Sequence, residues 1–82
     1  MSDMHTYRTR INEIDTTLMR LLEERFAISE AVGQYKKTHD LPVFDAAREA
    51  LILAKAESHG PAVRAVYEAL LAQSRALQET KP

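Results

Sequence analysis

One spacing constrains this chain more than any other feature. From Tyr7 onward, apolar residues recur at Ile11, Ile14, Leu18, Leu21, Ile28, Val32 and Tyr35, in steps that alternate between three and four and so fall along one seam of a helix and on no strand. Between Thr6 and Lys37 the only residue that disfavours a helix is Gly33, at a cost of about 1 kcal/mol relative to Ala. The spacing therefore predicts one helix from about His5 to about Thr38. One slot on the seam is not apolar: in "LLEERFAIS" the position between Leu21 and Ile28 is Arg25. On the neighbouring stripe Arg8, Asp15, Leu22, Ser29 and Lys36 each stand seven residues apart, which gives the seam a charged flank at both ends.

A helix of this extent is roughly 50 Å long at 1.5 Å per residue. The whole chain has 82 residues, and a compact globule of that size has a radius of gyration near 12 Å and a diameter of roughly 30 Å. The helix must overhang its own domain, and a second chain must cover its apolar face. A two-fold dimer in which the long helices pair is the simplest closed arrangement. Arg8 and Lys36 lie roughly 40 Å apart along the axis, so one small ligand meets both only if two subunits contribute.

Composition points the same way. With 45% hydrophobic and 28% charged residues residues 1–82 read as a single small globular domain, and domains of this size often draw stability from disulfides, metals or oligomerisation. The chain has no Cys, which removes disulfides and thiolate metal sites. His5, His39 and His59 lack ligand-like spacing to one another or to a carboxylate pair, so no metal is expected. Oligomerisation remains. The net charge is −1 with acidic and basic residues interspersed, which offers no electrostatic footprint for nucleic acid or an anionic membrane. The opening "MSDMHTYRTR" lacks an apolar signal region and no apolar run approaches spanning length, so the expected location is cytoplasmic.

Two further helices complete an all-α reading. Pro42 in "HDLPV" forbids easy continuation of the first. Asp45 is a plausible N-cap for a second through "AAREALILAKAE", and Ser58 is expected to cap a third that has Pro61 near its first turn. The third carries Val63, Val66, Tyr67, Leu70, Leu71 and Leu77 at helical spacing.

Polar residues on the apolar sides of these helices mark a candidate site. Arg25 and Lys36 are three turns apart on nearly the same face, at a separation of about 16 Å that long side chains can bridge around a small molecule. Asp45, Arg48 and Glu49 share a face at i, i+3 and i+4. Ser74 and Gln78 extend the stripe of Tyr67, Leu70 and Leu71. Each has a structural explanation: Arg25 as a register device or partner of a Glu, the second-helix triplet as a capped, salt-bridged surface, Ser74 and Gln78 as boundary residues. Together they describe an enclosed pocket for an anion, since three helices each turn polar groups, several cationic, toward the core.

With "RINEID", "LLEERFAISEAVGQYK", "LPVFDAARE" and "SRALQ" in that order, the chain resembles the all-helical class of chorismate mutases over nearly its full length. The resemblance implies an intertwined homodimer of three-helix chains that rearranges chorismate to prephenate, toward phenylalanine and tyrosine. It implies Arg8 as an arginine donated across the dimer, Arg25 as a carboxylate-binding arginine, and Lys36 as the lysine at the ether oxygen and a carboxylate. Asp45, Arg48 and Glu49 match the group around the ring hydroxyl, Ser74 the serine near the ring carboxylate, and Gln78 the donor to the ether oxygen. The connection "KAESHGPAVRA" is tighter than in some members.

The implied chemistry suits the inventory. A [3,3]-sigmatropic shift needs no nucleophile, cofactor or obligatory proton transfer. Cationic anchors holding two carboxylates restrict the flexible arm to lie over the ring, and Lys36 with Gln78 would stabilise charge growing on the ether oxygen. Two other functions fit less of the sequence. An isochorismate-pyruvate lyase of the same fold would use a similar cationic pocket, whereas a non-catalytic helical dimerisation or regulatory module would leave Arg25, Lys36 and Gln78 unexplained.

Overall fold

The computed structural model describes residues 2–79. It consists of three helices in the order α1 (Asp3–Thr38), α2 (Ala46–Glu57) and α3 (Pro61–Glu79), with no strand among the described residues. The all-α expectation holds.

Helix α1 starts two residues earlier than its apolar spacing required. Ser2 is the N-cap, its hydroxyl oxygen accepting from the His5 N–H at 3.2 Å. Asp3 in the first turn and Lys36 and Lys37 in the last complement the helix dipole. The other end is closed by the backbone before Pro42 is reached. Asp40 sits at φ 53°, and the Leu41 N–H reaches back to the Lys36 carbonyl at 2.8 Å, the 6→1 bond of a Schellman ending with Asp where Gly is usual. Asp is among the few residues with a side chain that visit this left-handed region readily.

Asp45 caps α2 as expected, its carboxylate accepting from the Arg48 N–H at 3.0 Å. Ser58 departs from expectation. It is the C-cap of α2, not the N-cap of α3, and its hydroxyl donates to the Lys55 carbonyl at 2.6 Å. The chain turns at Gly60, whose φ of 111° is open to glycine but strained for other residues. The Gly60 carbonyl then accepts from the Arg64 N–H at 3.2 Å, so a glycine takes the place that Ser58 was expected to fill. Arg64 ties the corner by pairing with Glu57 at 2.9 Å, an exposed contact of small energetic weight.

Helix α3 packs against both α1 and α2. The molecule measures 57 × 25 × 13 Å with a radius of gyration of 16.1 Å, against about 12 Å for a compact chain of this length. Helix α1 does overhang. The interior is correspondingly small: Ala56, Leu70 and Leu71 are the buried apolar residues, and Ser29 and Ser74 are buried beside them. The seam of α1 lies outside this core. Tyr7 is 63% exposed, Ile11 54% and Leu18 49%, so large apolar side chains spaced along one seam of the helix are left open to solvent. Among the described residues, no helix is long and apolar enough to cross a membrane.

Candidate functional site

The C-terminal half of α1, the start of α2 and the C-terminal half of α3 enclose a cleft of about 270 Å³. Every site residue named from the sequence lines it except Arg8. Arg8 sits in the exposed N-terminal part of α1, seventeen residues before Arg25 and so roughly 25 Å from it along the axis.

Arg25 is half-buried, and its Nη1 donates to the Ser74 hydroxyl at 2.7 Å. Ser74 itself is only 5% exposed, so α3 presents its hydroxyl from a fixed position. Lys36 is held at both ends. Its carbonyl accepts from Leu41 in the Schellman ending, and its Nζ donates to the Val43 carbonyl at 2.7 Å and to the Gln78 amide oxygen at 3.0 Å. With Oε1 engaged by Lys36, the Nε2 donors are the part of the Gln78 amide left for a ligand.

These two cations share a feature that fits an anion site. Among the described residues neither makes an ion pair with Asp or Glu; their acceptors are a hydroxyl, a peptide carbonyl and an amide. A half-buried cation solvated by neutral dipoles has its charge uncompensated, and a bound carboxylate would supply the missing partner. Arg25 is therefore not the partner of a Glu, one of the explanations its place in the seam allowed.

Glu49 and Arg48 follow Asp45 into the first turn of α2. Glu49 is paired with Arg75, whose Nη1 donates to Oε1. Arg75 is not among the residues expected from the sequence, and it also lines the cleft. Standing next to Ser74 in "SRALQ", it reads as an ordinary charged residue beside the apolar stripe. The available signal was its place three residues before Gln78, which puts it on the same side of α3.

Gly33 also has a role that the sequence does not mark. It is buried where α1 crosses α3, and a Cβ placed on it would lie 2.7 Å from the Gln78 Cα and 2.8 Å from the Gln78 carbonyl oxygen. The missing side chain lets the two backbones touch one turn before Lys36. That close approach sets Gln78 within reach of the Lys36 ammonium.

The apolar part of the cleft lining is Ile28, Val32, Val43, Ile52 and Leu71. A second cleft of about 350 Å³ shares Arg25 and Arg48 with the first and extends along α2 to Lys55 and His59. No group of His, Cys, Asp and Glu side chains among the described residues could hold a metal ion. The arrangement is suited to binding and electrostatic stabilisation of a small organic anion with a partly apolar body.

The fold and the cleft together define a small all-helical protein whose three helices bring cations, an amide and carboxylates to one cleft. The family model described as chorismate mutase type II matches residues 7–79, and the chain belongs to this family. It is also similar to a solved structure from Pyrococcus furiosus, a conserved hypothetical protein, with 30% identity and a TM-score of 0.88 over 96% of this chain and 99% of that one. No curated protein matches the chain.

Proposed function

We propose that the chain is a chorismate mutase, acting on chorismate to give prephenate by a [3,3]-sigmatropic rearrangement. The observation that carries the reading is the pair of half-buried cations, Arg25 and Lys36, that face one cleft with only neutral acceptors as partners. Chorismate is a dianion, and membership of the chorismate mutase type II family makes it the substrate to consider first.

In this reading Arg25 and Lys36 anchor the two carboxylates, and Ser74 supports the Arg25 guanidinium. Anchoring both ends restricts the enolpyruvyl arm to conformers that place the reacting carbons together, an effect that can reach about 7–11 kcal/mol. Lys36 and the Gln78 Nε2 group stabilise negative charge on the ether oxygen as its bond to carbon breaks, and one such preorganised donor is worth about 3–4 kcal/mol. Glu49 accepts from the ring hydroxyl, with Asp45 and Arg48 flanking it. No side chain needs to take up or release a proton.

The same reading includes a homodimer in which Arg8 of the partner subunit completes the pocket. The exposed seam from Tyr7 to Leu21 and the overhang of α1 support pairing of the long helices, which would bury that face and bring the N-terminal end of one α1 toward the C-terminal half of the other. We place the reaction in the cytoplasm.

The test is incubation of the purified chain with chorismate and, separately, with isochorismate, following substrate loss and product. Prephenate from chorismate is expected. Pyruvate released from isochorismate, with chorismate untouched, would make the chain a lyase of the same fold. Loss of neither substrate would leave a non-catalytic helical module.

A further inference from the structure

Arg75 takes no part in the reading above, yet it is tied into the cleft more firmly than most of its lining. Its guanidinium donates to Glu49 Oε1 and lies 5.5 Å from the centre of the Phe44 ring, within cation–π range. The ion pair is largely shielded, with Arg75 33% and Glu49 18% exposed. One side chain thus links α3 to the first turn of α2 and to the loop that precedes its cap.

We propose that Arg75 is a positioning residue that holds the Glu49 carboxylate in place and keeps it away from the cations of the cleft. The inference rests on the chorismate reading of the same site. Glu49 shares this lining with Arg25, Lys36 and Arg48. A flexible carboxylate there would pair with one of them and remove an anchor from the substrate. Arg75 prevents this by occupying Oε1, which leaves Oε2 to accept from the ligand's hydroxyl. Arg75 also sets the charge balance. The lining holds Arg25, Lys36, Arg48 and Arg75 together with Asp45 and Glu49, so it carries two more positive charges than negative, the complement of a dicarboxylate. Phe44 lies against the guanidinium at 5.5 Å, a contact that an ammonium group would not reproduce in the same way.

The experiment compares wild type, Arg75→Met, Arg75→Lys, Glu49→Gln and the Arg75→Met/Glu49→Gln double variant in steady-state turnover of chorismate. Arg75→Met is expected to lower kcat by about tenfold or more with a smaller change in KM, because the remaining anchors still admit substrate but Glu49 no longer meets it correctly. Arg75→Lys should recover part of that loss. In the Glu49→Gln background, Arg75→Met should cost no more than about twofold, since residues that act through one another are not additive. Circular dichroism checks the fold; if Arg75→Met does not fold, Arg75→Gln replaces it with the same expectation.

Losses that multiply independently in the double variant, or a rise in KM at unchanged kcat, would overturn the proposal, the latter by making Arg75 a direct substrate anchor. An active wild type indistinguishable from Arg75→Met would also overturn it while leaving the chorismate reading intact. Wild type that does not turn over chorismate would sink that reading, and the role of Arg75 with it.

Discussion

Gly33 and Gln78 meet backbone to backbone, and this contact places the Gln78 amide 3.0 Å from the Lys36 ammonium. In an exposed helix interior, replacing Gly by Ala gains about 1 kcal/mol. Here the added Cβ would fall 2.7 Å from the Gln78 Cα, against main chain that cannot swing aside. Overpacking of this kind costs about 1–3 kcal/mol. Gly33→Ala is therefore expected to lower the melting temperature and, by pushing α3 off α1, to reduce turnover as well. A variant that melts higher and keeps full activity would show that the helices separate without consequence.

Gln78 offers a second prediction. An amide donates a hydrogen bond at any ordinary pH, whereas an ionised carboxylate in its place would repel the ether oxygen and donates only when protonated. Gln78→Glu should therefore be most active on the acid side of neutrality and lose activity as pH rises. A pH–rate profile of the variant decides it; equal activity at neutral and acidic pH would remove Gln78 from the ether oxygen.

Arg25 separates function from folding. Among the described residues its hydrogen-bond partner is the Ser74 hydroxyl, so Arg25→Leu strands no carboxylate. Replacing a buried charge with a packed apolar residue is often neutral or stabilising by about 1–4 kcal/mol. Arg25→Leu should melt at the same temperature or higher and lose nearly all turnover. Unchanged activity in that variant would reduce Arg25 to a device for register.

These predictions mix what the sequence made legible with what it hid. The three helices followed from periodicity, and Asp45 was recognisable as a cap because its side chain and position suffice for that role. Arg25, Lys36, Ser74 and Gln78 could be grouped because helical spacing alone puts each on an inward face. Ser58 was misplaced because a Ser between two helices can cap either one, and only the turn at Gly60 decides. The end of α1 was assigned to Pro42 because the left-handed conformation of Asp40 leaves no strong mark in sequence. Gly33 looked like a tolerated defect for a related reason: its cost is local, whereas its use lies in a contact with Gln78 on another helix. Arg75 was missed because its partner, Glu49, lies 26 residues away, and pairing at that distance has no periodic signal.

The exposed seam of α1 and the remoteness of Arg8 from the cleft motivate the proposal that two subunits share each pocket. Arg8→Ala and Arg25→Ala should each inactivate the protein, because every pocket in either homodimer then lacks one anchor. Mixing the two should restore activity. In a mixed dimer, the subunit that keeps Arg25 receives Arg8 from its partner and owns one intact pocket, while the other pocket has lost both arginines. Random reassortment makes about half of the dimers mixed, each with one good site of two, so roughly a quarter of wild-type activity should return if sites act independently. The two variants must be unfolded and refolded together, since long paired helices exchange slowly without it, and a tag on one variant reports the fraction of mixed dimers. Complete exchange with no recovered turnover would show that Arg8 does not act across the interface, and the pocket would then have to be built from one chain.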